Sequence, residues 1–257
     1  MPLSEPTVNF RSCVPTFDAN VGVGHRHDRP APFGAPHELL AELDRHGVDR
    51  ALVYEVSGEV ISPVEANAAL DRWIAGGDGR LTPQYVLGPR ADSLEQLKAL
   101  HAGAPLKAVR LMDAGSPRVP VTPWVLGEAL AWLRVEGIPL WVSLADSPVR
   151  EVAETLAHYP GLPSVLVGAH YTHASVVRPL LRRLPDARLE LSRYEVMGEV
   201  ESLAREFGAR RLVYGSFYPR LAMGPVLHAL HELDLPADDV GDICCRNLER
   251  LLGESAC

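Results

Sequence analysis

Eight short apolar runs, each followed by a longer segment of helical period, constrain the fold of this chain more than any other feature of its sequence. The runs are rich in Val, Leu and Tyr, and a repeating strand–helix order is typical of parallel strands joined by crossover helices. The predicted strands lie near Val14–Ala19, Arg50–Glu55, Leu81–Leu87, Ala108–Met112, Pro139–Leu144, Ser164–Ala169, Ala187–Ser192 and Arg211–Ser216. Eight such units predict an α/β fold, a (β/α)8 barrel of the TIM type.

The length of the chain fits one such barrel. A barrel of this type commonly takes about 250 residues, and the 257 residues contain no Pro/Gly/Ser-rich linker between two domains. We therefore predict a single barrel domain over residues 1–257, with an extra C-terminal helix at about Asp238–Leu252 packed outside the barrel. The alternative is a doubly wound open sheet, but Val21–His25 has glycines without the G-x-G-x-x-G spacing of a nucleotide-binding turn.

Composition argues against several kinds of partner. The formal net charge is −8 and no basic run with interleaved aromatic residues occurs, so we expect no nucleic-acid partner. No apolar stretch approaches the roughly 20 residues that span a membrane. Residues 1–10 lack the charged start and apolar run of a signal peptide. The four cysteines show no CxxC spacing, and a cytoplasmic location fits them best.

Short motifs follow one another along the chain in an order that carries information about family. They are Asp18–Gly22, Gly47–Ala51, Asn67, Arg110, Gly137–Pro139, Tyr159–Pro160, His170, Phe207–Leu212, Tyr214–Pro219 and Asn247–Leu252. Together they resemble the amidohydrolase-related branch of the amidohydrolase superfamily, over nearly the whole chain. In that branch the first strand ends D-x-H-x-H, where this chain has Asp18–Gly22. The resemblance implies a barrel with its active site at the carboxyl ends of the strands.

The resemblance also implies a divalent metal, but this chain does not keep the implied ligands. In the family the metal is held by two first-strand histidines, usually a fifth-strand histidine, and an eighth-strand aspartate. The corresponding residues here are Asn20, Gly22, Ser143 and Phe217. An amide or hydroxyl oxygen binds zinc poorly, and glycine and phenylalanine offer no ligand atom. We therefore expect no metal and no other cofactor.

A relocated metal site is the alternative. His25 and His27 lie just past the first predicted strand, and His170 and His173 follow the sixth, at the same end of the barrel. Four imidazoles that converge on one mouth would suit a transition metal. The competing interpretation places His25 and His27 on a solvated loop.

Polar residues at the predicted strand ends are the candidates for a site. His170 is the first choice for catalysis, because an imidazole titrates near neutrality and the family often uses a histidine at the end of the sixth strand. Asp18 and Ser143 complete the candidate catalytic set. Arg110 is the candidate anion holder, and its alternative is an internal salt bridge with Asp18 or Glu55. The other candidates for substrate binding are Asn20, Tyr85, Tyr171, Arg193, Ser216 and Phe217.

Two kinds of function remain open. The first is a metal-independent enzyme that acts on a small anionic or cyclic substrate, as a lactonase-type hydrolase, a lyase or an isomerase. The resemblance implies it, since some relatives in this branch hydrolyse lactones without a metal. The second is a catalytically inactive barrel with a binding or partner role, which Phe217 at the aspartate position favours. Barrels of this branch often form dimers, so a homodimer is a further expectation.

Overall fold

Strands and helices alternate along the computed structural model, which describes residues 9–24, 34–112 and 119–254. The strands are β1 (Phe17–Val23), β2 (Arg50–Glu55), β3 (Leu81–Pro83), β4 (Tyr85–Leu87), β5 (Val109–Leu111), β6 (Leu140–Ser143), β7 (Ser164–Val167), β8 (Ala187–Glu190) and β9 (Leu212–Val213). The helices are α1 (Pro36–His46), α2 (Pro63–Ile74), α3 (Ala91–Gly103), α4 (Pro123–Glu136), α5 (Val149–Ala157), α6 (Ala174–Arg183), α7 (Glu199–Phe207), α8 (Met223–His231), α9 (Ala237–Gly241) and α10 (Asn247–Leu251). Among these described residues, no helix combines the length and apolar character needed to cross a bilayer.

Local sequence signals set several helix ends. The Ser62 hydroxyl accepts the N–H of Glu65 at 3.4 Å, and Pro63 occupies the first position of α2, where its missing N–H costs nothing. Helices α1 and α4 stop at Gly47 and Gly137, whose φ values are 64° and 68°. Glycine adopts this left-handed conformation without a Cβ penalty, so each helix ends there and the next strand begins.

The strands pair in parallel and in chain order. Strands β3 and β4 are two parts of the third predicted strand, interrupted at Gln84. The last strand segment returns to the first, because the N–H of Ala19 donates to Tyr214 O at 3.1 Å and that of Gly22 to Tyr218 O at 2.7 Å. The chain thus has the TIM-barrel fold, and the predicted fold class is confirmed.

Two apolar clusters lie on opposite sides of the strands. One fills the space between the strands and the helices, and the other fills the barrel interior. The interior cluster contains Phe17, Ala19, Leu52, Ala108, Trp141, Val165, Val167, Val213, Cys245, Leu248, Leu251 and Leu252. Its last four members come from the C-terminal helical segment. That segment forms where it was predicted, at the amino-terminal end of the barrel, where the Asn247 amide donates to the carbonyls of Ala209 and Leu212 at 2.9 Å. Its predicted packing outside the barrel is corrected, because these four side chains join the interior cluster.

A bulge in β1 changes which side chains face inward. Phe17 belongs to the interior cluster, whereas Val21 and Val23 belong to the outer cluster, although all three positions are odd. Side chains of a regular strand alternate between its faces, so the phase must change between them. The pairing register with β2 shifts between Asp18 and Val21, which locates the bulge. As a consequence, the even positions after it turn toward the barrel axis.

Candidate active site at the carboxyl end of the barrel

Three side chains form an ion-pair network in the upper barrel interior. Arg110, from β5, donates through Nε and Nη2 to Glu59 Oε1 at 2.9 and 2.8 Å. Arg220, from the loop after β9, donates to Glu59 Oε2. The side chains of Arg110 and Glu59 are only 2% and 1% exposed, while that of Arg220 keeps 22% of its surface. Two guanidinium groups therefore converge on one carboxylate, and Arg220 is the member that reaches solvent.

Further contacts fix the position of Arg110. Its Nη1 donates to Asn20 Oδ1 at 3.2 Å, and its guanidinium carbon lies 4.1 Å from the centre of the Tyr54 ring. A buried guanidinium needs such hydrogen bonds and π contacts to offset the loss of hydration. The sequence left open an internal salt bridge to Asp18 or Glu55. The structure gives Arg110 an internal salt bridge, but with Glu59.

The positions that hold a metal in the resembling family are filled by this arginine and aromatic cluster. Asn20 contacts Arg110 as described. A Cβ atom on Gly22 would lie 2.6 Å from Val56 Cγ1 and 3.4 Å from the Tyr54 hydroxyl, which leaves no room for an imidazole. Phe217 is 3% exposed, and Arg220 stacks on its ring at 4.6 Å. The side chains present at these positions do not fit a divalent metal.

Phe217 also has an unusual backbone conformation. Its φ is 58°, and among residues 9–24, 34–112 and 119–254 no other residue except glycine has a positive φ. For a bulky side chain this left-handed conformation costs on the order of 1–3 kcal/mol, and such strain concentrates at functional positions.

Ser143 is engaged in a turn after β6. Its hydroxyl donates to Asp146 Oδ2 at 2.7 Å and accepts the N–H of Asp146 at 3.2 Å. A serine nucleophile needs an adjacent base that can remove its proton. A carboxylate three residues along the chain supplies a local turn contact instead, so the geometry around Ser143 is that of a capped turn.

Asp18 and Glu190 are two fully buried carboxyl groups below the arginine network. Asp18 Oδ1 accepts the N–H groups of Asn20 and Ser216, each at 2.9 Å. Burial raises the pKa of Asp18 to about 6, although the hydrogen bonds from Ser216 and Asn20 oppose the change. Asp18 therefore ties β1 to the loop after β9 and titrates close to neutrality.

Glu190, at the end of β8, accepts the N–H and the hydroxyl of Ser192 at 2.8 and 2.9 Å and the Asn20 amide at 3.4 Å. Burial raises its pKa to about 7, and the charge of Asp18 adds to this, while Ser192 and Arg110 oppose it. A Cβ on Gly215 would lie 2.3 Å from Glu190 Oε1, so glycine at that position makes room for the carboxyl. The Asn20 amide thus joins Glu190 to Arg110.

His170 lies at the rim, directly after β7. Its Nδ1 is 3.1 Å from the Thr172 hydroxyl, and its ring meets that of His173 edge-on at 4.5 Å. Partial burial lowers the pKa of His170, and His173 and Arg193 add to the effect. His173 itself donates through Nε2 to Leu144 O at 3.1 Å and accepts the N–H of His170 at 3.3 Å. A neutral imidazole therefore faces the mouth near pH 7.

The remaining predicted residues separate into three groups. Ser216 is buried and structural, since its N–H binds Asp18 and its hydroxyl accepts the N–H of Tyr218 at 3.0 Å. Tyr171 is 68% exposed and, with Arg193, stays near His170 at the rim. Tyr85 belongs to the outer cluster, and its hydroxyl donates to Asp71 of α2 at 2.5 Å. Tyr85 therefore faces the helical layer, which corrects its predicted position at the mouth.

The histidines of the relocated metal site are only partly described. His25 and His27 lie outside the described residues, while His173 holds a backbone carbonyl. Within the described part of the chain, no group of three or more His, Cys, Asp or Glu side chains is arranged to hold a metal ion. The relocated site and the expected absence of a metal both stay predictions.

Sequence reasoning missed Glu59, Tyr54 and Glu190. Glu59 lies in a short 3-10 turn, Val56–Glu59, which is too short for an apolar period to show which way its side chains point. Glu190 had a usable signal, because its neighbours Leu189 and Leu191 are apolar and face outward, so alternation turns this acidic residue inward. Tyr54 of β2 had a weaker signal, because Val53 beside it faces outward and Leu52, two residues earlier, faces inward.

Solved structures resemble this chain over nearly its whole length, although no family model matches its sequence and the curated proteins give no match. An uncharacterised TIM-barrel protein from Bordetella bronchiseptica has a TM-score of 0.76 at 16% identity, covering 93% of this chain and 99% of its own. The 5-carboxyvanillate decarboxylase of Sphingomonas paucimobilis has a TM-score of 0.71 at 12% identity, covering 94% and 100%. A probable 2-pyrone-4,6-dicarboxylic acid hydrolase from Acinetobacter baumannii has a TM-score of 0.66 at 13% identity, covering 93% and 99%.

These TM-scores and coverages show a common fold, and at identities this low they show the fold alone. Further matches are described as amidohydrolases, and they cover 87% and 93% of this chain. The resemblance predicted from the motifs is therefore confirmed by structural neighbours of the same kind. This chain is a (β/α)8 barrel with the fold of the amidohydrolase-related proteins.

Proposed function

We propose that the protein is a metal-independent enzyme that acts on a small ring-bearing carboxylate, as a hydrolase or a lyase. The observation that carries the proposal is the position of the Arg110 guanidinium, which contacts Asn20 where the resembling family has its first metal ligand. A metal in such sites stabilises negative charge that develops on the substrate. A fixed guanidinium in a partly dry interior supplies electrostatic stabilisation of the same sign.

The substrate class follows from charge and from the neighbours. The similar structures include enzymes that act on 5-carboxyvanillate, 2,6-dihydroxybenzoate and 2-pyrone-4,6-dicarboxylic acid. All three compounds are rings that carry at least one carboxylate. Arg220, with 22% of its side chain exposed, is placed to meet a carboxylate that enters from the mouth. Guanidinium groups bind carboxylates through two parallel hydrogen bonds, which also orients the ring.

In the proposed reaction the two arginines bind the substrate and His170 transfers a proton. Arg220 contacts the substrate carboxylate, and Arg110 lies behind it, oriented by Glu59 and Asn20. His170 at the rim is the general base, because its lowered pKa keeps the imidazole neutral near pH 7. Asp18 and Glu190 position Asn20 and Ser216 rather than touch the substrate.

The test is a turnover assay on protein freed of metal with a chelator and then desalted. The three ring carboxylates named above are the probes, followed by liquid chromatography of substrate and product. We expect turnover of at least one of them without added metal. Arg220→Met should raise KM about 10-fold or more, and His170→Gln should lower kcat about 100-fold. Arg134→Met is the matched control, since Arg134 lies exposed on α4, and it should leave both constants unchanged.

The same assay with added metal could contradict the proposal. Activity that appears only with zinc or manganese would contradict the metal-independent reaction. Unchanged kinetics in both Arg220→Met and His170→Gln, with correctly folded protein, would show that the site lies elsewhere.

The second candidate is a catalytically inactive barrel that binds a small anion. The burial of the central residues favours it, since Asn20 and Glu190 are 0% exposed and Phe217 is 3% exposed. Calorimetric binding of the same probes, weakened by Arg220→Met and not followed by turnover, would establish this function over the first. If the protein neither binds nor turns over any of these probes, both candidate functions are contradicted.

A further inference from the structure

A cavity of about 450 Å3 lies at the amino-terminal end of the barrel, away from the candidate active site. Pro163 and Asp186, which directly precede β7 and β8, line it together with Arg210 and Arg211, which directly precede β9. The residues that follow these strands, such as His170 and Ser192, belong to the other end. In parallel strands the two ends lie on opposite faces of the barrel, so this cavity is distinct from the mouth.

Four of the eight lining residues are arginines, in a chain whose formal net charge is −8. They are Arg188, Arg210, Arg211 and Arg250. The carboxylate in the lining is Asp186, and its Oδ2 already accepts the N–H of Gly161 at 2.8 Å. Positive charge is therefore concentrated at this cavity against the overall charge of the protein, which focuses the field on anions.

Two of the arginines have structural partners that hold them in place. Arg211 donates to the carbonyl oxygens of Ala187, Leu181 and Leu184 at 2.6 to 3.0 Å. Arg250 donates to Asn247 and to Asp242 at 2.9 and 3.1 Å. These contacts fix two guanidinium groups on rigid parts of the barrel floor.

Arg188 is different. Its Nε is buried and finds no hydrogen-bond acceptor within the described residues. Burial lowers the pKa of its guanidinium, with Asp186 opposing and Arg210 adding to the change. A buried guanidinium N–H without an acceptor destabilises the folded state unless a ligand supplies one. Arg210 beside it is exposed and completes the open side of the cavity.

We infer that this cavity binds a small anion that carries a phosphate group. The guanidinium groups of Arg188, Arg210 and Arg211 line one space. A ligand that pairs with all three needs more than one negative charge and oxygens that point in several directions. A phosphate ester has both properties, whereas a single carboxylate is planar and monovalent. The volume suits a small molecule of this kind.

The experiment is thermal unfolding of the full chain with pyrophosphate as the probe, at constant ionic strength, with citrate and chloride for comparison. A ligand that binds only the folded state raises Tm with the logarithm of its concentration. We expect a rise of roughly 5 °C at a pyrophosphate concentration 100-fold above Kd. Citrate should bind more weakly than pyrophosphate, and chloride should have no effect.

Variants assign the effect to the cavity. Arg188→Met and Arg210→Met should each weaken pyrophosphate binding about 10-fold or more, while Arg134→Met removes the same charge from α4 and should not. Without ligand, Arg188→Met should unfold at the same temperature as the wild type or higher, because it removes a partly buried N–H group that has no acceptor. A merely structural Arg188 would instead lower Tm and leave the pyrophosphate effect intact.

Several results would overturn the inference. They are no Tm rise in the wild type, an equal rise in the Arg188→Met, Arg210→Met and Arg134→Met variants, or citrate binding as tightly as pyrophosphate. Arg210 is exposed, so its variant tests the site even if Arg188→Met fails to fold.

Discussion

Glu190 and Asp18 titrate in a range that ordinary carboxyl groups do not reach. Both are fully buried, and the charge of Asp18 adds to the burial that raises the pKa of Glu190. Two interacting acids release their protons in coupled steps that belong to the pair. The interior of the barrel therefore changes its charge between about pH 6 and 7.

The first prediction concerns the pH dependence of stability. The pKa of Glu190 is raised from 4.5 to about 7 on folding, so the unfolded chain loses this proton first. The stability that the neutral carboxyl contributes is present below about pH 4.5 and is lost as pH rises through 7. The loss amounts to roughly 3 kcal/mol by pH 8. Glu190→Gln stays neutral, so its unfolding free energy should fall less than that of the wild type between pH 5 and 8.

Denaturant unfolding at both pH values measures this difference. Parallel curves for the wild type and Glu190→Gln would show that Glu190 is already ionised in the folded protein at pH 5.

Gly22 stands where the resembling family has a histidine, and the space around it is crowded. A methyl group there would lie 2.6 Å from Val56 Cγ1, and Val56 is itself buried and stiff. Gly22→Ala should therefore destabilise the protein by about 1–3 kcal/mol. Gly103→Ala is the matched control, since a Cβ there meets nothing within 4 Å. Equal unfolding free energies for the two variants would contradict the crowding at Gly22.

The turn Val56–Glu59 shows how a short element can set the chemistry of a whole barrel. It follows β2 and delivers one carboxylate to two arginines from distant parts of the chain. Glu59→Gln keeps the shape and removes the charge, which leaves Arg110 buried without its counter-charge. The expected cost is about 3–5 kcal/mol in unfolding free energy.

The control for this prediction is Glu154→Gln, which breaks the exposed pair with Arg150 and should leave Tm almost unchanged. A Glu59→Gln protein as stable as the wild type would mean that another acid compensates Arg110.

The order of strands and helices was predictable because the two differ in the spacing of their apolar residues, and that spacing can be read from the sequence alone. The eight strands lie where the apolar runs predicted them, although the third is interrupted at Gln84 and the first begins at Phe17 rather than Val14. The phase change inside β1 was not predictable. A bulge depends on the pairing with β2 and on the hydrogen bonds that Asp18 makes, neither of which a single strand sequence records.

The candidate site was predictable in part. Strand ends placed Asn20, Arg110 and Phe217 at one end of the barrel, since parallel strands carry their carboxyl ends to one face. The partner of Arg110 was not predictable, because Glu59 is 51 residues away and lies in a turn. His170 and Arg110 stay a predicted pair. Their described contacts are with different residues, namely Thr172 and His173 on one side and Glu59 and Asn20 on the other.

Seen as one object, the barrel has an arginine cluster at each end of its strands. Sites that are far apart and share no residue affect each other little. Arg220→Met at the mouth should therefore leave the Tm rise caused by pyrophosphate unchanged, and Arg210→Met should leave the binding of ring carboxylates unchanged. Thermal unfolding and calorimetry on both variants check this. A cross-effect larger than about 3-fold in Kd would indicate that the two ends are coupled through the strands.

A positive group that belongs to the chain has no dissociation constant. Arg110 is joined to the strand by covalent bonds, so every folded molecule holds its charge at full occupancy from the moment of synthesis. In the proposed metal-independent reaction, starvation for trace elements or competition between zinc and manganese would therefore not change the occupancy of this positive charge. The same covalent attachment has a cost, since an arginine cannot be exchanged for a different cation in the way that one bound metal ion can replace another.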